Sequence, residues 1–239
     1  MKHIWIIAKR ELASYFDSLI AYIMIVAFLG FSGFFTWLFG ADVFLTGQAS
    51  LQVFFNVAYW TLFFFIPAIT MRLLAEEHRS GTLELLFTMP INHLQIVTGK
   101  FLSTILLILI SLILTLPYFI TVTSIGPADT GVILSGYLGL ILISCVYASI
   151  GLFASSTTNN QIVSFLLALF IGIFFHFLFG LIANSFTGTL GNIFYFLSTE
   201  NHFESISRGV IDTRDIIYFL SVTALGILGS SYFIVKKYA

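Results

Sequence analysis

Six stretches of roughly twenty residues, each almost free of charge, constrain this chain more than any other feature it has. They run over 19–39, 52–70, 101–122, 132–154, 162–183 and 216–235. As helices, each is long enough to cross the hydrocarbon core of a bilayer. The runs are continuous and do not alternate, which excludes the strands of a membrane β-barrel. Composition agrees, with 59% of residues from the AVILMFWYC set and only 9% charged. So few charges cannot cover a water-facing surface. The sequence therefore predicts an all-α polytopic membrane protein of six transmembrane helices, forming one transmembrane domain over residues 1–239.

The basic residues give the orientation. Lys2, Lys9 and Arg10 precede the first run; Arg72, Arg79 and Lys100 lie between the second and third; Lys236 and Lys237 follow the last. The opposite side keeps only Arg208 and Arg214, against Asp42, Asp129, Glu200, Glu204, Asp212 and Asp215. By the positive-inside rule both termini and the 71–100 loop are cytoplasmic, as an even number of spans requires. The formal net charge of −1 gives no bulk attraction to nucleic acid. Cys145 is the single cysteine, so no intramolecular disulfide forms. The first run is too long for the apolar core of a signal peptide and stays in the membrane as a span.

Residues 1–18 are amphipathic. Trp5, Ala8, Leu12, Tyr15, Phe16 and Leu19 fall on one helical stripe, with His3, Arg10, Ser14 and Asp17 opposite and Ile7 on the polar face. Lys2 and Lys9 flank the stripe, where they can snorkel toward headgroups. An interfacial helix lying along the bilayer is expected.

The 71–100 loop is the most informative polar segment. Ser80-Gly81 punctuates it, and Thr82 to Met89 reads as a short helix carrying Leu83, Leu85, Leu86 and Phe87. Pro90 stops that helix, because the residue before a proline is pushed out of the helical region. Asn92 restarts the chain as a cap, with Gln95 three residues on completing a capping box. Glu76, Glu77, Arg79 and Glu84 give the loop its charge. A water-facing loop has no need of so many apolar residues unless it packs on something, so docking to a soluble partner is expected.

In the fourth run Ser144, Ala148, Gly151 and Ser155 recur at helical spacing, a stripe for close helix approach. Residues 155–161 (SSTTNNQ) suit a tight hairpin. Residues 184–215 are too apolar for a plain loop and are read as two short re-entrant or interfacial pieces. Ser198-Thr199-Glu200 starts a helix through His202 and Phe203, Gly209 ends it, and Asp212 or Thr213 caps the last span.

Catalytic motifs are missing. A phosphate-binding loop GxxxxGK[ST] fails at Gly99-Lys100, which has Leu94 where the first glycine belongs and Phe101 where Ser or Thr belongs. No HExxH occurs. Glu76-Glu77 superficially match the EExxxR of intramembrane glutamic-type proteases, but Gly81 stands at the arginine position. His176 and Asn56, alone in their spans, are read as hydrogen-bonded to neighbouring helices. The chain is thus expected to be no enzyme, with no metal or cofactor of its own.

The run Glu76-Glu77-His78-Arg79-Ser80-Gly81-Thr82-Leu83-Glu84-Leu85-Leu86, then Pro90 and Gly99-Lys100, resembles the coupling-helix region of type-two ATP-binding-cassette exporter permeases. Lys9-Arg10-Glu11-Leu12, followed by Tyr15-Phe16, is similar to that family's interfacial connecting helix, which also takes in Trp5 here. His202-Phe203 through Arg208-Gly209-Val210-Ile211-Asp212 is similar to its outer element. Within the family the chain most resembles the gliding-motility-associated permeases, whose relatives include nitrous-oxide-reductase maturation permeases.

The resemblance implies one membrane half of a dimer, formed with itself or a homologous permease in the bacterial inner membrane. ATP and magnesium would be bound by a separate ATPase, and any envelope partner would be a separate protein. Glu84 and Arg79 would lock the coupling segment, while Leu85, Leu86 and Phe87 fill an ATPase groove. The alternatives are a mechanical transmission subunit that moves no solute and, third, an intramembrane enzyme. For dimer contact, Gly30 and Gly33 of the first span and Gly172 and Gly180 of the fifth offer close-approach surfaces.

Overall fold

The computed structural model of the protein describes residues 2–39, 49–83, 91–186 and 188–238, and its regular structure there is entirely helical. Helix α1 (Lys2–Asp17) turns into α2 (Ile20–Trp37) through Leu19, whose φ of 60° makes the corner sharp. Helix α3 (Gln52–Thr70) leads through a turn at 71–74 into α4 (Ala75–Ser80). Gly81 ends α4 at φ 72°, a left-handed conformation that glycine adopts without a Cβ clash.

The third apolar stretch is one candidate span, as expected, within His93–Ile125, but it carries a break inside the 101–122 run. It starts earlier, as α5 (His93–Ile113), and breaks before α6 (Leu116–Ile125). Pro117 sits in the first turn of α6, where its missing N–H goes unnoticed, but it cannot continue the hydrogen-bond ladder of α5. The start of α5 is the expected capping box: Asn92 Oδ1 accepts from Leu94 N at 3.2 Å, and Gln95 Oε1 accepts from Asn92 N at 3.3 Å.

Helix α7 (Thr130–Thr157) is capped by Asp129, and α8 (Gln161–Ile173) by Asn160. One π-helical turn, Phe174–Leu178, joins α8 to α9 (Phe179–Ser185). Two short helices follow, α10 (Thr189–Leu197) and α11 (Thr199–Ser207), and then α12 (Thr213–Tyr238). Asp212 Oδ1 accepts from Arg214 N at 2.9 Å and caps α12. Among the described residues six helical stretches are long and apolar enough to cross a membrane: Ile20–Trp37, Gln52–Ser80, His93–Ile125, Thr130–Thr157, Gln161–Ala183 and Thr213–Lys236.

Helix α7 is the axis of the bundle. It is the most buried of the six stretches and packs against α3, α5, α8, α11 and α12. Ser144, Ala148, Gly151 and Ser155 are all buried, so the small-residue stripe is a packing face. A Cβ on Gly151 would fall 1.9 Å from Thr70 Oγ1, and one on Gly226 of α12 would fall 2.6 Å from Ser149 Oγ. In lipid, helices gain nothing from excluding water and associate by such close fit instead.

The glycines expected at a dimer contact are mostly spent inside the chain. A Cβ on Gly33 would meet Tyr118 at 2.8 Å, one on Gly172 would meet Phe63 at 2.9 Å, and one on Gly180 would meet Ser198 at 3.3 Å. Gly30 alone of the four faces open space. Asn56 also departs from expectation: it is exposed, so it does not turn inward toward a neighbouring helix.

Candidate functional site

The end of the bundle that carries most of the basic residues brings α1, α4 and α5 together. Along α1 the inward face is Ile7, Ala8, Glu11 and Tyr15. Ile7, expected on the polar face, is buried because Gly99 of α5 leaves room for it; a Cβ there would be 2.8 Å from Ile7 Cβ. The expected apolar stripe instead divides. Ala8 and Tyr15 turn to protein, Leu12 and Phe16 are half-buried, and Trp5 and Leu19 stay exposed.

One turn beyond Ile7, Glu11 reaches Lys100. The Lys100 side chain is 1% exposed, so its charge survives only by being neutralised on the spot. Its Nζ donates to Glu77 Oε1 at 2.7 Å and to Glu11 Oε1 at 3.2 Å. Arg10 donates to Glu11 Oε1 at 2.8 Å and stands 3.7 Å from Glu77 Oε1. Two cations and two carboxylates thus close an electroneutral network across three elements. Burial alone would raise the Glu11 carboxyl, but Lys100 and Arg10 override it and hold it below its ordinary value. The hydrogen bond to Glu11 in turn raises the Arg10 guanidinium.

A second tie fixes α4. Ser155 Oγ, at the end of α7, accepts from Leu74 N at 3.1 Å and Ala75 N at 2.9 Å, and donates to Met71 O at 3.0 Å. These N–H groups begin α4 and have no partner within the helix. Nearby, the Tyr15 hydroxyl meets Thr104 Oγ1 at 3.4 Å, and the Arg72 guanidinium lies over the Tyr15 ring. The start of α4 is thereby tied to the end of α7, and the end of α1 to the middle of α5.

The residues expected to couple are only partly assembled here. Glu77 belongs to the network; Glu76, Arg79, Gly81 and Thr82 are exposed beside it. Glu84, Leu85, Leu86, Phe87 and Pro90 lie outside the described residues, and of the expected 82–89 helix only Thr82 and Leu83 are described, both helical. His78 is buried. On α1, Lys9 and Trp5 are exposed and Tyr15 is fully buried. The Glu11–Lys100 contact was not foreseen. Its signals are a carboxylate on the inward face of an amphipathic helix and a lysine immediately before an apolar run.

At the opposite end the residues around His202 form a joint between short helices. His202 Nδ1 meets Asp215 Oδ1 at 2.6 Å, its Nε2 meets Phe196 O at 2.8 Å, and its ring stacks on Tyr218. Phe203 is buried against the Tyr59 ring, Arg208 pairs with Glu204, and Gly209 turns at φ 96°. In the bundle, His176 Nδ1 lies 2.6 Å from the Tyr147 hydroxyl on α7, the neighbouring-helix hydrogen bond expected of it. No group of three His, Cys, Asp or Glu side chains is placed to hold a metal among the described residues.

Six apolar helical stretches, of which α7 is the most buried, define a multi-pass membrane protein. The model of the ABC-2 family transporter proteins matches residues 44–228, and the chain belongs to that family. It is therefore a permease subunit of an ABC transporter, a membrane component whose partner is an ABC ATPase subunit. Among curated proteins none is similar enough in sequence to count as a relative.

Proposed function

We propose that the basic end faces the cytoplasm and that residues 82–89 dock the ATPase, whose motion passes through α1, α4 and α5 into the spans. The supporting observation is the Lys100 network. It ties three elements, distant in sequence, through one buried cation at the end from which the 82–89 segment leaves. A displacement of α4 then carries α1 and α5 with it, because each partner is held by charge and by burial. Alternating access follows as a population shift, with ATP binding to the ATPase favouring one conformation.

The active unit is a pair of permease halves. Contact through the open faces of α2 and α8 fits their exposed apolar residues, among them Tyr22, Val26, Leu166 and Phe170. The outer joint around His202 presents its helices to a separate envelope protein. The resemblance to gliding-motility permeases supports envelope-directed export as the task.

The test uses the permease in lipid nanodiscs with its ATPase. Leu86→Ala and Phe87→Ala each truncate an apolar side chain proposed to anchor in the ATPase, a loss of about 1–4 kcal/mol. They are expected to weaken association well beyond His3→Ala, which alters an exposed position on α1. Glu84→Ala keeps part of the association and loses stimulation of ATP hydrolysis. If the Leu86 and Phe87 variants fold and bind like wild type, docking through this segment is wrong.

A further inference from the structure

Between α1, α4 and the start of α5 the basic end opens into a cavity of about 380 Å³. Arg10 and Ser14 line it from α1, Arg72, Glu76 and Glu77 from the turn and α4, and Thr82 from just beyond Gly81. Glu77 spends one carboxylate oxygen, Oε1, on Lys100 and Arg10. Its other oxygen, Oε2, is buried and has no hydrogen-bond partner among the described residues. A buried acceptor left in that state is unfavourable until a donor is supplied.

The cations already present are engaged elsewhere. Lys100 Nζ is committed to Glu77 Oε1 and Glu11. Arg72 donates to Ser18 Oγ at 3.3 Å and lies over the Tyr15 ring. Lys100, Arg10 and Arg72 balance Glu11, Glu76 and Glu77 around the cavity, so net charge selects neither an anion nor a cation and the unmet hydrogen-bonding group decides. The unmet atom is an acceptor, and Glu76 beside it is exposed. Arg10 and Ser14 line the cavity from the face of α1 opposite exposed Trp5, which favours a soluble partner over a lipid.

We propose that this cavity is a socket for a cationic side chain, an arginine or a lysine, presented by the ATPase and hydrogen-bonded to Glu77 Oε2. The proposal rests on the docking reading above and adds a second, ionic anchor to the apolar one. With Oε1 already occupied, the incoming group makes a single charge-assisted bond.

The experiment starts from an ATP-binding-cassette ATPase subunit of the same genome whose hydrolysis the wild-type permease stimulates in nanodiscs. If no such subunit exists, the docking reading and the socket fall together. A photoreactive benzophenone amino acid replacing Thr82, or Ser14 on the facing wall, is then crosslinked to the bound ATPase and the captured peptide is sequenced. Each Arg and Lys of that peptide is exchanged for Gln, alone and with Glu77→Gln.

The expected result is one cation whose loss weakens association about tenfold or more, as does Glu77→Gln, with the double variant no weaker than either single one. Glu11→Gln, which also loosens Lys100 but leaves Oε2 in place, should add its effect independently of that cation. Two results overturn the socket while docking stands. One is additivity between Glu77 and every cation of the peptide. The other is capture of phospholipid alone at both wall positions while the ATPase still binds and is stimulated.

Discussion

Lys100 Nζ lies 2.7 Å from Glu77 Oε1, and the two residues meet at a point where the lysine is 1% exposed. Deleting Lys100 removes the hydrogen-bonded cation of Glu77 and leaves Glu11 with Arg10 alone. Lys100→Ala is expected to destabilise the protein by about 3–5 kcal/mol, the range for breaking a buried pair from one side. Lys100→Arg, which keeps the charge, should lose less. Thermal unfolding of each variant in the same detergent measures this, and an alanine variant as stable as wild type would sink the joint.

Glu11 sets a pH dependence. Its folded-state pKa lies below the ordinary value, so its contribution is present above the unfolded pKa and is lost as pH falls through the folded one. Wild type should therefore lose stability on acidification below the usual carboxylate range, and Glu11→Gln should lose less over the same interval. Parallel melting curves across that interval decide it; identical slopes for the two proteins would contradict the assignment.

Gly151 faces Thr70 so closely that an added Cβ would sit 1.9 Å from Thr70 Oγ1. Gly151→Ala should cost on the order of 1–3 kcal/mol through overpacking at the bundle axis. Adding Thr70→Ala to that variant vacates the space and should restore part of the loss. A double variant that melts below Gly151→Ala by the full effect of Thr70→Ala would mean that the two positions do not interact.

Leu19 holds the α1–α2 corner at φ 60° while its side chain is 63% exposed, so it contributes strain and little packing. Leu19→Gly relieves roughly 1–2 kcal/mol of left-handed strain and is expected to be neutral or stabilising. Leu19→Val, β-branched at the same φ, should destabilise. Melting temperatures ranked with valine above glycine would refute the strained corner.

Much of this fold is written locally. The six apolar runs, the Asn92–Gln95 capping box, the stop at Gly81, the turn at Gly209 and the Asp212 cap depend on neighbours within a few residues. Each follows from helical period or from the backbone needs of a helix end, so each could be read before any packing was known. The Ser144–Ser155 stripe was legible for the same reason, since small residues at helical spacing leave few uses other than close approach.

The packing partners were not legible. Glu11, Glu77 and Lys100 are separated by 89 and 23 positions from one another across the network, and no local rule selects that trio. The inward face of α1 was misjudged at Ile7 because the space for it is made by Gly99 on another helix. Gly33, Gly172 and Gly180 offered flat surfaces in the sequence, and only the positions of Tyr118, Phe63 and Ser198 decide that the chain uses them itself. In lipid nearly every face of an apolar helix is equally soluble, so composition sets how many helices cross the membrane. Steric fit and buried charge, fixed only in three dimensions, decide which faces meet.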